Sequence, residues 1–343
     1  MAEGIFANLF RNGWVGVDLF FVLSGYLIAA GLIRRSGKDG FKVVTSRYFT
    51  DRVLRIVPAY YAVLVLCFLA MPHGSEPTGF NSGQSLFAHL LFLQDYTGSN
   101  INVVFWSLGV EEKFYIIAPL LVFGLARRRS LSACLVLAAC LLLISPVARA
   151  VALDVQGTDL DYSEFFRTMR SPFHMSLDGF VIGIMIAVLS SRGLGLSAKH
   201  AACGLTFGAA VLLVWLGSHE FLAAITRFDA WLQPSALALL FGWMMWCALF
   251  LGGRKPACEP FFRVNARLSY ALYLVHFPLI PLAAALAGEG ASVAFWAWYL
   301  GLSYAAALIV HFGVEKAFMQ LKSGRTGHGA GSASFARSEV VPS

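Results

Sequence analysis

Long apolar runs alternate with short polar connections along almost the whole chain. A helix that crosses a bilayer needs roughly 20 apolar residues. The runs predict about nine transmembrane helices, near 15–33, 56–72, 106–125, 131–150, 173–190, 201–217, 231–251, 269–287 and 292–314. The expected fold class is therefore all-α, a polytopic membrane helix bundle. A shorter apolar piece, Leu86–Leu93, is too short to span and reads as re-entrant or interfacial. Residues 1–14 read as a short outside segment, 15–322 as the integral-membrane domain, and 323–343, rich in Gly and Ser, as a flexible cytoplasmic tail.

Composition agrees with the pattern. The chain is 58% hydrophobic and 13% charged, with a mean hydropathy of +0.69, whereas a soluble domain carries about 25% charged residues. The net charge of +7 does not call for nucleic acid, because its basic residues sit between apolar runs. They cluster in every second connection: 34–55, 127–129, around Arg192 and Lys199, 254–267, and after Lys316. The intervening loops 73–105, 151–172, 218–230 and 288–291 read as acidic or nearly neutral. The positive-inside rule then places the basic loops and the C-terminus on the cytoplasmic side of the cell membrane. The six cysteines read as reduced, packed thiols. No cleavable signal peptide is visible, and the same charge count puts Met1 outside. The expectation is one further helix before Met1, the start being misassigned or the chain truncated. The alternative is an outside N-terminus with the first span as a reverse signal anchor.

Carboxylates inside such runs stand out, because an acid near a helix centre costs about 2.5–3.5 kcal/mol on insertion scales and usually faces a wet or protein-lined interior. Glu111 and Glu112 lie in WSLGVEEKFYIIAP, and Asp18 lies in GWVGVDLFFVLSGYLI. All three are candidate catalytic residues lining one cleft. Asp18 suits the orientation of a buried histidine, and Gly25, seven residues on, allows another backbone to come close. Tyr115 shares the face of Glu111, Trp106 is a plausible interface anchor, and Lys113 is placed to neutralise an acid on another helix. Arg47, Arg52 and Arg55 precede Pro58 and the Tyr60–Tyr61 pair at the cytoplasmic mouth. Their planar guanidinium forks suit phosphate or pyrophosphate, against the plainer reading of ordinary basic flanking. Tyr273 and His276 share a face in LSYALYLVHFPLI, and His174 and Asp178 are four apart. No His, Cys or acid spacing suits a metal.

Taken together, GWVGVDLFFVLSGYLI, RYFTDRVLRIVPAYY, WSLGVEEKFY and LSYALYLVHFPLI resemble the acyltransferase-3 family of membrane-bound O-acyltransferases, with a weaker match at Val314-Glu315-Lys316. The resemblance implies about ten helices with the N-terminus inside. It implies transfer of an acyl group, often acetyl, from cytoplasmic acyl-CoA as donor substrate to a hydroxyl of a surface or exported carbohydrate. No permanently bound cofactor is implied. The RxxR motif of the family falls on Arg52 and Arg55, and its membrane acids on Asp18 and on Glu111 or Glu112. Trp106, Tyr115, Tyr273 and His276 are the candidate substrate contacts. The Arg and catalytic His of the family's first helix have no counterpart here, and Lys113 stands where relatives often carry Gln. A transporter of a glycan or lipid-linked intermediate, using the same acids as ligands, and an inactive truncated relative are the competing readings.

Overall fold

The computed structural model describes residues 8–9, 11–36, 40–70, 82–98, 100–128, 130–157, 161–218, 225–252, 258–288 and 292–320. The proposed tail 323–343 and most of the segment 1–14 lie outside these residues. The described residues form helices and turns and no strands. In chain order the α-helices are α1 (Gly16–Ser36), α2 (Phe41–Ala70), α3 (Ser82–Leu90), α4 (Gln94–Thr97), α5 (Phe105–Ala126), α6 (Leu131–Leu142), α7 (Ile144–Gln156), α8 (Tyr162–Phe165), α9 (Leu177–Ser191), α10 (Ala198–Ser218), α11 (Arg227–Trp231), α12 (Gln233–Leu249), α13 (Glu259–Val275), α14 (Ile280–Ala287) and α15 (Ser292–Val310).

Among the described residues, five helices are long and apolar enough to cross a membrane: Asn12–Ser36, Phe41–Ala70, Leu131–Gln156, Ala198–Ser218 and Val293–Gln320. A sixth is counted if Glu259–Val275 and Phe277–Ala287, bent by 60°, form one span. The expected count of nine is not confirmed; the described residues show five or six apolar helices of spanning length. The run 106–125 does form one helix of 22 residues, but Glu111, Glu112 and Lys113 interrupt its apolar character. The run 173–190 yields only the 15-residue α9, because 166–175 is wound into π and 3₁₀ turns. The run 231–251 yields the 17-residue α12. At 1.5 Å per residue, 15 residues reach about 22 Å, short of a hydrocarbon core of about 30 Å. The basic loop expected over 34–55 is helix from Phe41 onward, since the chain to Pro58 holds no breaker. Pro58 itself is absorbed within α2.

Large apolar side chains face outward on these helices: Leu27, Leu66, Leu69, Ile116, Leu120, Val214 and Ile309 are each at least 60% exposed. Asp18, Glu111, Arg149, Arg170 and Asp178 are buried. Water would penalise that inversion and lipid rewards it, so the chain is a multi-pass membrane protein.

The chain divides into two compact units, 1–50 with 66–263, and 51–65 with 264–343. In the first unit α1 lies against α9 at backbone distance. A Cβ at Gly25 would stand 2.3 Å from the Phe180 carbonyl oxygen, and one at Gly183 would stand 2.1 Å from that of Val22. Small residues are how membrane helices approach this closely. Val15, Val22, Ile182, Ile186, Leu237, Phe241 and Met245 fill the core between α1, α9 and α12. In the second unit the Tyr270 hydroxyl donates to the Ile56 carbonyl at 2.9 Å, tying α13 to α2.

Candidate functional site

Asp18, in the first turn of α1, is buried and ion-paired with Arg170, each terminal guanidinium nitrogen donating to one carboxylate oxygen at 2.7 Å. Arg170 ends a π-helical turn, Phe166–Arg170. Its guanidinium lies over Trp14 at 5.2 Å and over Trp106 at 5.4 Å. The partner of Asp18 is thus a guanidinium set between two indoles, where the sequence suggested an imidazole. Two aromatic faces and a bidentate carboxylate hold a weakly hydrated cation out of water.

Glu111 is buried one helix away on α5. The Ser24 hydroxyl of α1 donates to its Oε1 at 2.7 Å, and the Tyr115 hydroxyl donates to the same oxygen. The i, i+4 relation of Glu111 and Tyr115 is realised as a hydrogen bond. Tyr48 donates to the Tyr115 carbonyl at 3.2 Å, which fastens the first turns of α2 to α5. Trp106 meets Phe21 edge to face at 6.0 Å, and Phe21 continues through Phe180 to Phe114. Asp18, Trp106, Glu111 and Tyr115 are therefore brought together around α1 and α5. Glu112 is half-buried on the adjacent face.

Lys113 turns away from both glutamates. Its Nζ donates to Asp95 Oδ1 at 2.6 Å, the Phe92 carbonyl at 2.5 Å and the Gly109 carbonyl at 3.1 Å. Phe92 has φ 55°. Phe92 N–H bonds the His89 carbonyl and Leu93 N–H that of Ala88, a Schellman termination of α3 with an aromatic in the position glycine normally takes. That strained turn aims a carbonyl at Lys113. Asp95 Oδ2 accepts from the Phe173 N–H at 3.3 Å. Burial holds Asp95 above the ordinary carboxylate range, against the pull of Lys113. Next to it Tyr96 stacks on His174 at 5.7 Å with a 3.1 Å hydroxyl–Nδ1 contact, and burial lowers the His174 imidazole.

His174 and Asp178 do not pair, despite their spacing. Asp178 Oδ2 accepts from Arg149 at 2.9 Å and from Ser235 at 2.6 Å. Arg149, fully buried, also donates to the carbonyls of Trp231 and Met175. This network joins α7, α9 and α12. Arg149 and Arg170 were missed by sequence reasoning. The signal that would have found them was their place: arginines at the ends of a connection read as acidic, on the side the charge rule assigns to the outside.

Arg47 and Arg55 are exposed on α2 and Arg52 is half-buried. In the second unit His276 stands at the bend between α13 and α14. Its Nδ1 lies 2.8 Å from the Tyr273 carbonyl and 3.1 Å from that of Leu272, with the Tyr273 ring at 5.7 Å. Carbonyls only accept, so Nδ1 is the donor in these contacts. Among the described residues, no group of His, Cys, Asp and Glu is arranged to hold a metal.

The profile of the acyltransferase-3 family, described as an acyltransferase domain, matches residues 2–312. The chain belongs to that family. It is similar to YrhL of Bacillus subtilis, provisionally named a peptidoglycan O-acetyltransferase, with 28% identity over 84% of this chain and 47% of YrhL. It is also similar to the peptidoglycan O-acetyltransferase OatA of Listeria monocytogenes, with 30% identity over 33% of this chain and 20% of OatA. The chain thus spans about half the length of YrhL and a fifth of OatA. No solved structure matches. Asp18 and Glu111 lie in the segments that carry the resemblance to the family, whereas Arg170 lies outside them.

Proposed function

We propose that the chain is a membrane O-acyltransferase that moves an acyl group, acetyl in the simplest case, from acyl-CoA to a carbohydrate hydroxyl. Peptidoglycan is the acceptor that the names of its relatives suggest. The observation that carries the reading is Glu111, a buried carboxylate inside a family-matched membrane bundle, oriented by the hydroxyls of Ser24 and Tyr115. In the transfer the acceptor oxygen attacks the thioester carbonyl, a C–O bond forms, the C–S bond breaks, and the acceptor proton leaves to a base. A preset carboxylate can hold or polarise that hydroxyl with little reorganisation. Asp18, neutralised by Arg170, contributes fixed geometry beside it. Arg52 and Arg55, with Arg47, are suited to the donor's phosphates, and the cell membrane with its C-terminus inside is the matching location.

The test is label transfer from acetyl-CoA in membranes holding the chain. Glu111→Gln and Arg55→Ala are each expected to depress it, and unchanged transfer in both would remove the site assignment. The 60° break at His276 favours a transporter instead. Label-free movement of a glycan, without acyl transfer, would select that reading.

A further inference from the structure

One groove on the first unit is used by none of the roles above. Leu120, Phe123, Gly124 and Arg127 recur at i, i+3, i+4 and i+7, so they line a single face of α5. With Phe41 and Arg128 they bound an open groove of about 460 Å³, within the range of ligand pockets. Its apolar floor is uncovered: Leu120 is 75% exposed, and the space a Cβ would take at Gly124 is empty. Its far end is cationic. The Arg127 guanidinium rests over Phe123 at 5.4 Å and Phe41 at 5.9 Å. Arg192 donates to the Arg128 carbonyl at 2.6 Å, bringing a third guanidinium to the same end. Among the described residues no carboxylate pairs with Arg127 or Arg128.

We propose that this groove binds an anionic phospholipid, an acyl chain lying along Leu120, Phe123 and Gly124 and the phosphate meeting Arg127 and Arg128. The match is one of charge and of solvent. An apolar slot on a lipid-facing helix is filled by hydrocarbon, and guanidiniums that no described carboxylate neutralises select a negative headgroup at its end. Two aromatic faces hold the Arg127 fork in place before the ligand arrives, so less rotamer freedom is lost on binding. The site is independent of the acyl-transfer reading.

The full chain, purified in detergent and stripped of lipid, is titrated with dioleoyl phosphatidylglycerol, dioleoyl phosphatidylcholine, glycerol phosphate and acetyl-CoA, read by native mass spectrometry and thermal shift. Phosphatidylglycerol is expected to bind and raise the melting temperature, with phosphatidylcholine and glycerol phosphate much weaker. Arg127→Gln with Arg128→Gln should weaken phosphatidylglycerol roughly ten- to a hundredfold. Gly124→Phe, whose Cβ would meet nothing within 4 Å and whose ring would occupy the slot, should weaken it comparably while leaving both arginines in place. Equal binding of the two lipids, or full affinity in Gly124→Phe, overturns the proposal. So does displacement of phosphatidylglycerol by acetyl-CoA or glycerol phosphate at matched concentration, which would assign the arginines to a soluble phosphate.

Discussion

Arg170 and Asp18, 152 residues apart in sequence, meet in a planar two-bond fork with both donor–acceptor distances at 2.7 Å. Removing one partner strands a buried charge, which costs about 3–5 kcal/mol. Asp18→Asn and Arg170→Gln are each expected to lower the melting temperature in detergent sharply. The double variant should recover part of the loss, since neither charge is then left alone. Independent, additive losses would show that the pair is not coupled.

Gly183 faces the Val22 carbonyl at a distance that excludes any side chain. Gly183→Ala should separate α1 from α9 and cost about 1–3 kcal/mol or more through overpacking. Gly13 and Gly124 have open space for 4 Å around the position a Cβ would take, so alanine at either should leave stability within about 0.5 kcal/mol. Thermal unfolding of the three variants side by side checks the contrast.

Glu111 receives two hydroxyl donors, and they are not equivalent tests. Glu111→Gln keeps the shape and removes the charge, and should reduce acyl transfer by about 100-fold or more. Tyr115→Phe and Ser24→Ala each remove one donor and should cost about tenfold. A label-transfer assay ranking Tyr115→Phe below Glu111→Gln would contradict this order.

His89 is fully buried in α3, with Nδ1 2.7 Å from the Ser85 carbonyl. Burial pushes its imidazole down from 6.5 to about 4. The unfolded chain therefore takes up this proton first as pH falls. The stability it contributes is full above about 6.5, is lost as pH drops toward 4, and is flat below that, up to about 3 kcal/mol in all. His89→Phe should flatten that part of the melting-temperature profile between pH 4 and 6.5. An unchanged slope would place the titration elsewhere.

Arg52 and Arg55 lie on one face of α2. Arg55→Ala should raise the KM for acyl-CoA by roughly tenfold with a smaller effect on kcat, as expected for a group that binds the donor equally in ground and transition states. A change confined to kcat would place Arg55 in the chemistry instead.

The acids were legible because lipid leaves so few reasons for a carboxylate. Asp18 and Glu111 could be singled out from two short stretches, and Tyr115 followed from helical spacing. The glycine at 25 was legible as a contact, though not against which helix. The span count was less so. Hydropathy marks how apolar a run is, and it does not show that 166–175 winds into irregular turns or that 269–287 breaks at His276. The partners were least visible of all: Arg170, Arg149 and Ser24 stand on other elements, in local sequence that looks ordinary.

The sequence by itself determined that this chain is helical, lives in a bilayer, and carries a few expensive charges in recognisable places. That follows from solvent, because transfer into hydrocarbon acts on each residue nearly alone. Only the tertiary structure decided which charge neutralises which. An ion pair needs two groups within a few ångströms, and that proximity is set by how α1, α5 and α9 pack, through glycine contacts and aromatic bridges that no single segment encodes.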